Sequence, residues 1–320
     1  MDAPSGLISG LVAAMAWGSL DVLVAFAGRR VGGIASAAFV VGASCLILVP
    51  AAIAGGASFP TDPRHIALAI GSGAILAVGF VCFYTALRLG PISIVSPIAG
   101  LYGGLGALIA VVVLGESLVP MQFAGIAAST VGIFLAGLTL TPGAGLPRFT
   151  GRGVPLALVS LVSWSVGIVL LSILVRETDW LTALVAQRVP NALLLLLLLA
   201  ALRLRGTPVT GTPPLAPEPE PVIDVTHAVD AGGSARRVSA ALSRRPYVTL
   251  SAAAVLDVIG LGAFALGLQV AAAWLVTLVS SLGPMVTVAA GVVLLGERPR
   301  AVQWAGIGLV FAGIALVAIG

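Results

Sequence analysis

The sequence predicts an all-α integral membrane protein of about ten transmembrane helices, arranged as two inverted five-helix repeats. Three observations carry that expectation. Hydrophobic residues make up 59% of the chain and charged residues 9%, with a mean hydropathy of +1.15, which leaves too little polar surface to cover a soluble globule. The apolar residues fall into runs of about 20, the length a helix needs to cross a bilayer, and show none of the short alternation of a membrane barrel. Finally, Leu114-Gly115-Glu116 followed by Gln122-Phe123-Ala124-Gly125-Ile126 recurs as Leu295-Gly296-Glu297 followed by Gln303-Trp304-Ala305-Gly306-Ile307.

The spans follow in order. The first, 6–27, carries Trp17 and Asp21 and lacks the basic leader of a secretory signal, so it is expected to remain in the membrane. The second and third, 34–55 and 66–87, contain Cys45, Cys82 and Tyr84; two thiols in apolar runs read as buried structural groups, with no disulfide framework. The fourth, 91–113, presents Ser96, Gly100, Gly103, Ala107 and Ala110 at helical spacing and also holds Pro97 and Tyr102. The fifth, 121–140, carries the repeated glycines Gly125 and Gly132. The sixth, 153–175, carries Trp164, and the seventh, 180–202, sets Gln187, Arg188 and Asn191 on one polar face. The eighth, 248–268, has Asp257 near its middle. The ninth, 272–294, aligns Thr277, Ser281 and Pro284 and begins with Trp274; the tenth, 301–319, repeats the glycines as Gly306 and Gly313.

Trp17 and Trp164 are 147 residues apart and the two glutamates 181, a difference of 34 that points to extra residues in the second half. Their source is the polar stretch 206–246, whose Pro213-Pro214 and Pro217-Glu218-Pro219-Glu220-Pro221 cannot pack a core and read as an extended linker. The repeats are therefore expected over 1–145 and 146–320. Five spans per half is odd, so the second half enters the membrane with opposite polarity, the arrangement that places a binding site at the interface between repeats.

At the two Leu-Gly-Glu motifs, with Trp17-Gly18 and the Ser-Leu-Gly-Pro of Ser281 to Pro284, the sequence resembles the EamA-type members of the drug/metabolite transporter superfamily. The resemblance covers nearly the whole chain apart from the linker. It implies ten helices in inverted repeats, a central cavity lined mainly by helices three, four, eight and nine, peripheral fifth and tenth helices, and export of metabolites, amino acids or drugs. The halves differ at one point: Gly103 stands where the second copy has Pro284, and the proline comes earlier, at Pro97.

Glycine before glutamate ends one helix and sets a carboxylate near the positive end of the next; Glu116 and Glu297 are read that way, or as gating ion pairs, Glu297 with Arg298 or Arg300. Pro97 and Pro284 free carbonyls in mid-membrane and point to a cavity or to protein packing. The small faces of helices four and nine fit either cavity lining or close helix packing. Trp17, Tyr84, Tyr102, Trp164 and Trp274 are candidate substrate surfaces, with an interfacial belt as the alternative for Trp274 and Trp17. Asp21, Arg188 and Asp257 are ionisable groups inside spans and so candidates for transport or proton coupling, against a structural ion pair or, for Asp21, simple access to water.

No cofactor or metal is called for. His65 and His227 lie in connections, and no zinc-protease helix, nucleophile elbow or P-loop is present, which argues against an enzyme. A lipid-carrier flippase or a subunit of a membrane complex is the alternative function. Expected partners are the bilayer, a small solute and a proton or counter-solute, with the chain a monomer or homodimer in the cytoplasmic membrane; the dispersed arginines argue against nucleic acid. The odd-numbered connections carry Arg29, Arg30, Arg88, Arg148, Arg152, Arg203, Arg205, Arg236, Arg237, Arg244, Arg245, Arg298 and Arg300, the even ones only Arg64 and Arg176. That bias predicts odd connections in the cytoplasm and both termini outside, opposite to the family's usual drawing.

Overall fold

The structure is a computed structural model, describing residues 3–89, 98–137, 153–206, 245–283, 285, 286, 289 and 301–319. Among the described residues every regular element is a helix: α1 (Ala3–Val31), α2 (Gly33–Ala54), α3 (Pro63–Leu89), α4 (Tyr102–Leu114), α5 (Pro120–Gly137), α6 (Gly153–Glu177), α7 (Trp180–Leu204), α8 (Pro246–Val270), α9 (Ala273–Ser280) and α10 (Ala301–Ile319). Six of them, α1, α2, α3, α6, α7 and α8, are long and apolar enough to cross a membrane, while α4, α5 and α10 belong to shorter apolar stretches. Pro97, Pro284, Ser96, Gly296, Glu297 and most of the 206–246 stretch lie outside the described residues, as does the side chain of Tyr84.

Local chemistry sets the boundaries. Gly115 closes α4 in the left-handed conformation, φ 65°, which costs a residue without Cβ nothing. Asp179 caps α7, its Oδ1 accepting from the Leu181 and Thr182 amides at 3.0 and 2.9 Å. Burial works against ionisation of that carboxyl, but the polar Thr182 side chain beside it and the two amide hydrogen bonds outweigh it and hold its pKa below the ordinary value. Pro246 opens α8, where a missing N–H leaves no bond unmade. Helix α1 outruns its expected end by four residues, to Val31.

The helices pair in a simple pattern. The closest-packed pairs are α1 with α8, α3 with α6, and α5 with α10; α1 also meets α9, α6 meets α4, α2 meets α7 and α8, α3 meets α7, and α4 meets α9. The α5–α10 crossing brings backbones together: a Cβ on Gly132 would lie 2.7 Å from the Gly306 carbonyl oxygen and from the Val310 nitrogen, and one on Gly125 2.6 Å from the Gly313 oxygen. Close approach of this kind is how helices gain dispersion contact where lipid removes any hydrophobic drive to associate. Leu46, Leu197, Phe311 and Val112 point outward from the bundle, the surface expected of a chain solvated by acyl chains.

Candidate functional site

The centre of the bundle holds a buried polar layer. Arg188 on α7 forms an ion pair with Asp257 on α8, at 3% and 9% side-chain exposure. The guanidinium also donates to the Ser44 hydroxyl of α2, from Nη2 at 2.7 Å and Nε at 3.1 Å, and that hydroxyl donates to the Val41 carbonyl at 3.0 Å. Two charges so enclosed remain charged only because each neutralises the other and the spare donors find oxygen. Gln187 and Asn191, on the same face of α7, are fully buried, and among the described residues no protein group bonds their side-chain nitrogens or oxygens. Unmet amides cost about 1–3 kcal/mol each, so this face has hydrogen-bonding capacity for water or solute. Pro190 sits among them and removes a helical hydrogen bond. Next to it, α3 approaches so closely that a Cβ on Gly73 would lie 2.7 Å from the Gln187 carbonyl oxygen.

The aromatic candidates are placed by glycines. Trp17 lies on α8 at Gly260, where a Cβ would come within 2.6 Å of the indole nitrogen, and its ring meets Phe264 at 5.5 Å. Trp164 lies on α3 at Gly79, with a Cβ 2.5 Å from its indole nitrogen, and packs among Phe80, Phe83 and Tyr102. Both indoles keep a partly exposed face. Tyr102 sits edge-on to Trp164, at 5.8 Å and 85°. Trp274 is 5% exposed, so the interfacial-belt reading does not hold for it.

The small faces of α4 and α9 pack on each other here instead of lining a space. A Cβ on Gly103 would overlap the Ser281 side chain, one on Gly106 would lie 2.9 Å from the Thr277 methyl, and Ala107, Ala110, Thr277 and Ser281 are all fully buried. Of the two readings of those faces, this conformation has the close crossing.

Glu116 departs from its expected place. The N-terminus of the following helix is served instead by Gln122, whose Oε1 accepts from the Val119 amide at 3.1 Å. The Glu116 carboxylate crosses the molecule, accepts from the Ala273 and Trp274 amides at 2.9 and 3.2 Å, and pairs with Arg176 at the end of α6. It thereby caps α9, which has no side-chain cap of its own. The next residue, Glu177, pairs with Arg64 at 2.7 Å and lies 3.2 Å from His65, both at the start of α3. All four even-numbered connections or their flanking helix ends thus meet at one end of the bundle through α6 and Glu116.

Several of these groups carried little sequence signal. Ser44 is an ordinary small polar residue of an apolar span, and the partners of Glu116 lie 60 and 157 residues away. Pro190 was legible, as a proline between Arg188 and Asn191 in mid-span.

A helical bundle with six membrane-length helices among the described residues, ion pairs at one end and a buried charged pair inside is a multi-pass membrane protein. Residues 4–138 and 233–319 match the model of the EamA-like transporter family, and the chain belongs to that family, within the drug/metabolite transporter superfamily. Its members are transporters and not enzymes, and membership implies a small-molecule substrate and a bilayer. Among solved structures, one protein crystal structure is similar over 99% of this chain and 97% of its own, with a TM-score of 0.73 and 18% identity, a likeness of fold. No curated protein matches.

Proposed function

We propose that this protein is a secondary transporter that moves a small metabolite, amino acid or drug-like solute across the cytoplasmic membrane by alternating access, in the export direction common in the resembled family. The observation that carries the reading is the Glu116 junction: one carboxylate ties the α4–α5 turn, the end of α6 and the start of α9 together at one end of the bundle. A junction of a few charge-assisted bonds is strong enough to hold a face shut and weak enough to be exchanged for solute contacts. With the arginine-rich connections in the cytoplasm, the latched face is the outer one.

Two features support the inverted-repeat reading. The principal helix pairs are preserved when each helix is exchanged for the one five places on: α1 with α8 becomes α6 with α3, α1 with α9 becomes α6 with α4, and α5 with α10 maps onto itself. The indole-on-glycine contact also recurs, with Gly79 and Gly260 separated by the same 181 residues as Glu116 and Glu297. Transporters of this construction bind at mid-membrane between repeats, and the buried Arg188–Asp257 pair, whose guanidinium also reaches Ser44 of the other half, supports a site there. The test is transport by purified protein in liposomes, screened against small metabolites and amines without nucleotide. Saturable solute uptake supports the reading; lipid scrambling with no solute movement assigns the protein to flippases.

A further inference from the structure

We propose that the crossing of α3 over α7 is the seam that parts during the transport cycle, and that Gln187 and Asn191 are the groups it uncovers to water and solute. The inference rests on the transport reading above and says which helices separate. It starts from how the bundle is tied. The Arg188 guanidinium of α7 bonds Asp257 of α8 and Ser44 of α2, so one buried side chain joins three helices. A second unit is α3 with α6: Arg64 and His65 meet Glu177 at one end, and along the crossing Gly79 receives the Trp164 indole and Gly167 the Leu76 side chain. The broadest contact between the two units is that of α3 with α7.

This seam is tight but unsatisfied. A Cβ on Gly73 would lie 2.7 Å from the Gln187 carbonyl oxygen and 3.0 Å from the Asn191 backbone nitrogen, yet the two side-chain amides at the crossing, both fully buried, hold no hydrogen bond among the described residues. The sister crossing, α2 with α8, differs. The 147-residue offset that relates Trp17 to Trp164 also relates Val40 to Gln187 and Ser44 to Asn191. Val40 packs in an apolar cluster with Ala254 of α8, and the Ser44 hydroxyl meets both Arg188 and the Val41 carbonyl. One crossing closes on satisfied groups, the other on orphaned ones.

Burying an amide without a partner is costly, and the cost is recovered when water or a solute reaches it. The packing gained on closing the α3–α7 seam is therefore opposed by its own amides. Pro190 stands between them, and its ring removes the N–H that would bond the Ala186 carbonyl, so this turn of α7 bends most readily. Once parted, the seam offers two carboxamides, each with two N–H donors and a carbonyl acceptor.

Two measurements test the proposal. Gln187→Cys and Val40→Cys, each in full-length protein with Cys45 and Cys82 replaced, are treated in nanodiscs with hydroxyethyl methanethiosulfonate, a small uncharged thiol reagent. Both positions are buried here, so labelling reads opening. Expected is reaction at 187 at least about tenfold faster than at 40; equal rates, or none at 187, overturn the seam. The Gln187→Met/Asn191→Leu pair keeps shape and removes the orphaned atoms. It should raise the unfolding midpoint by roughly 4 °C or more and slow solute movement in liposomes at least about tenfold, because closure is no longer opposed. A lowered midpoint, the result if the two amides bond each other, or unchanged transport by that variant overturns the proposal. Absence of solute movement by the unaltered protein would sink the transport reading alone, since labelling and midpoint are read without solute.

Discussion

Replacing Arg188 or Asp257 singly should unsettle the protein far more than replacing both. The pair is almost wholly enclosed, with side-chain exposures of 3% and 9%, so Arg188→Leu leaves an uncompensated carboxylate and Asp257→Leu an uncompensated guanidinium. Each single change should cost about 3–5 kcal/mol. The Arg188→Leu/Asp257→Leu double variant removes both charges and fills the space with apolar volume, so its cost should fall to about 1 kcal/mol or less, a coupling of at least about 5 kcal/mol. At about 2–4 °C per kcal/mol for a chain of this order of size, the singles should unfold roughly 6–20 °C below wild type and the double within a few degrees of it. Ser44→Ala serves as a control, losing only the hydroxyl that accepts two guanidinium N–H groups, for about 1.5–3 kcal/mol. The assay is thermal unfolding of purified protein followed by intrinsic fluorescence. Additive effects, with the double variant as unstable as the two singles combined, would refute the argument that the charges are held only by each other.

Two further outcomes are expected. Gly132→Ala puts a methyl group 2.7 Å from the Gly306 oxygen and the Val310 nitrogen, and should cost about 1–3 kcal/mol by forcing α5 and α10 apart, whereas Gly71→Ala, where a Cβ meets nothing within 4 Å, should be neutral or slightly stabilising; equal unfolding midpoints for the two would contradict the close crossing. Asp179→Ala should cost about 1 kcal/mol at neutral pH. Because the folded carboxyl has a depressed pKa, its contribution is fully present above the unfolded value near 3.9 and is lost as pH falls through the folded one, so the gap between wild type and variant should narrow in acid; a constant gap down to about pH 2 would show that ionisation plays no part.

Much of the fold was legible because membrane solvation writes itself into composition and run length. Apolar runs of about 20 residues leave few alternatives to a helix, and described helices occur in every expected span. The end of α1 was harder to place, because Gly28-Arg29-Arg30 breaks the apolar run without breaking the helix. The site was legible only in its costly members. An arginine and two aspartates in apolar spans stand out singly, but their pairing depends on which helices become neighbours. Glu116 shows the limit most clearly: helix-end chemistry assigned it to the next helix, where a local glutamine already did that work, and its partners come from α6 and α9. The small residues of α4 and α9 were ambiguous for a similar reason, since a surface that lets backbones meet also leaves room for solute.

The central claim, that the Glu116 junction holds one face shut in an alternating cycle, is tested most directly by the distance distribution across that face. Spin labels at Thr61, between α2 and α3, and Ser117, between α4 and α5, both exposed, would be introduced after replacing Cys45 and Cys82. Pulsed electron–electron resonance in nanodiscs should give a dominant short population for the otherwise unaltered protein, and Glu116→Gln should move a substantial fraction into a second, longer one. A single distance, the same with Glu116 and with Glu116→Gln, would contradict the account.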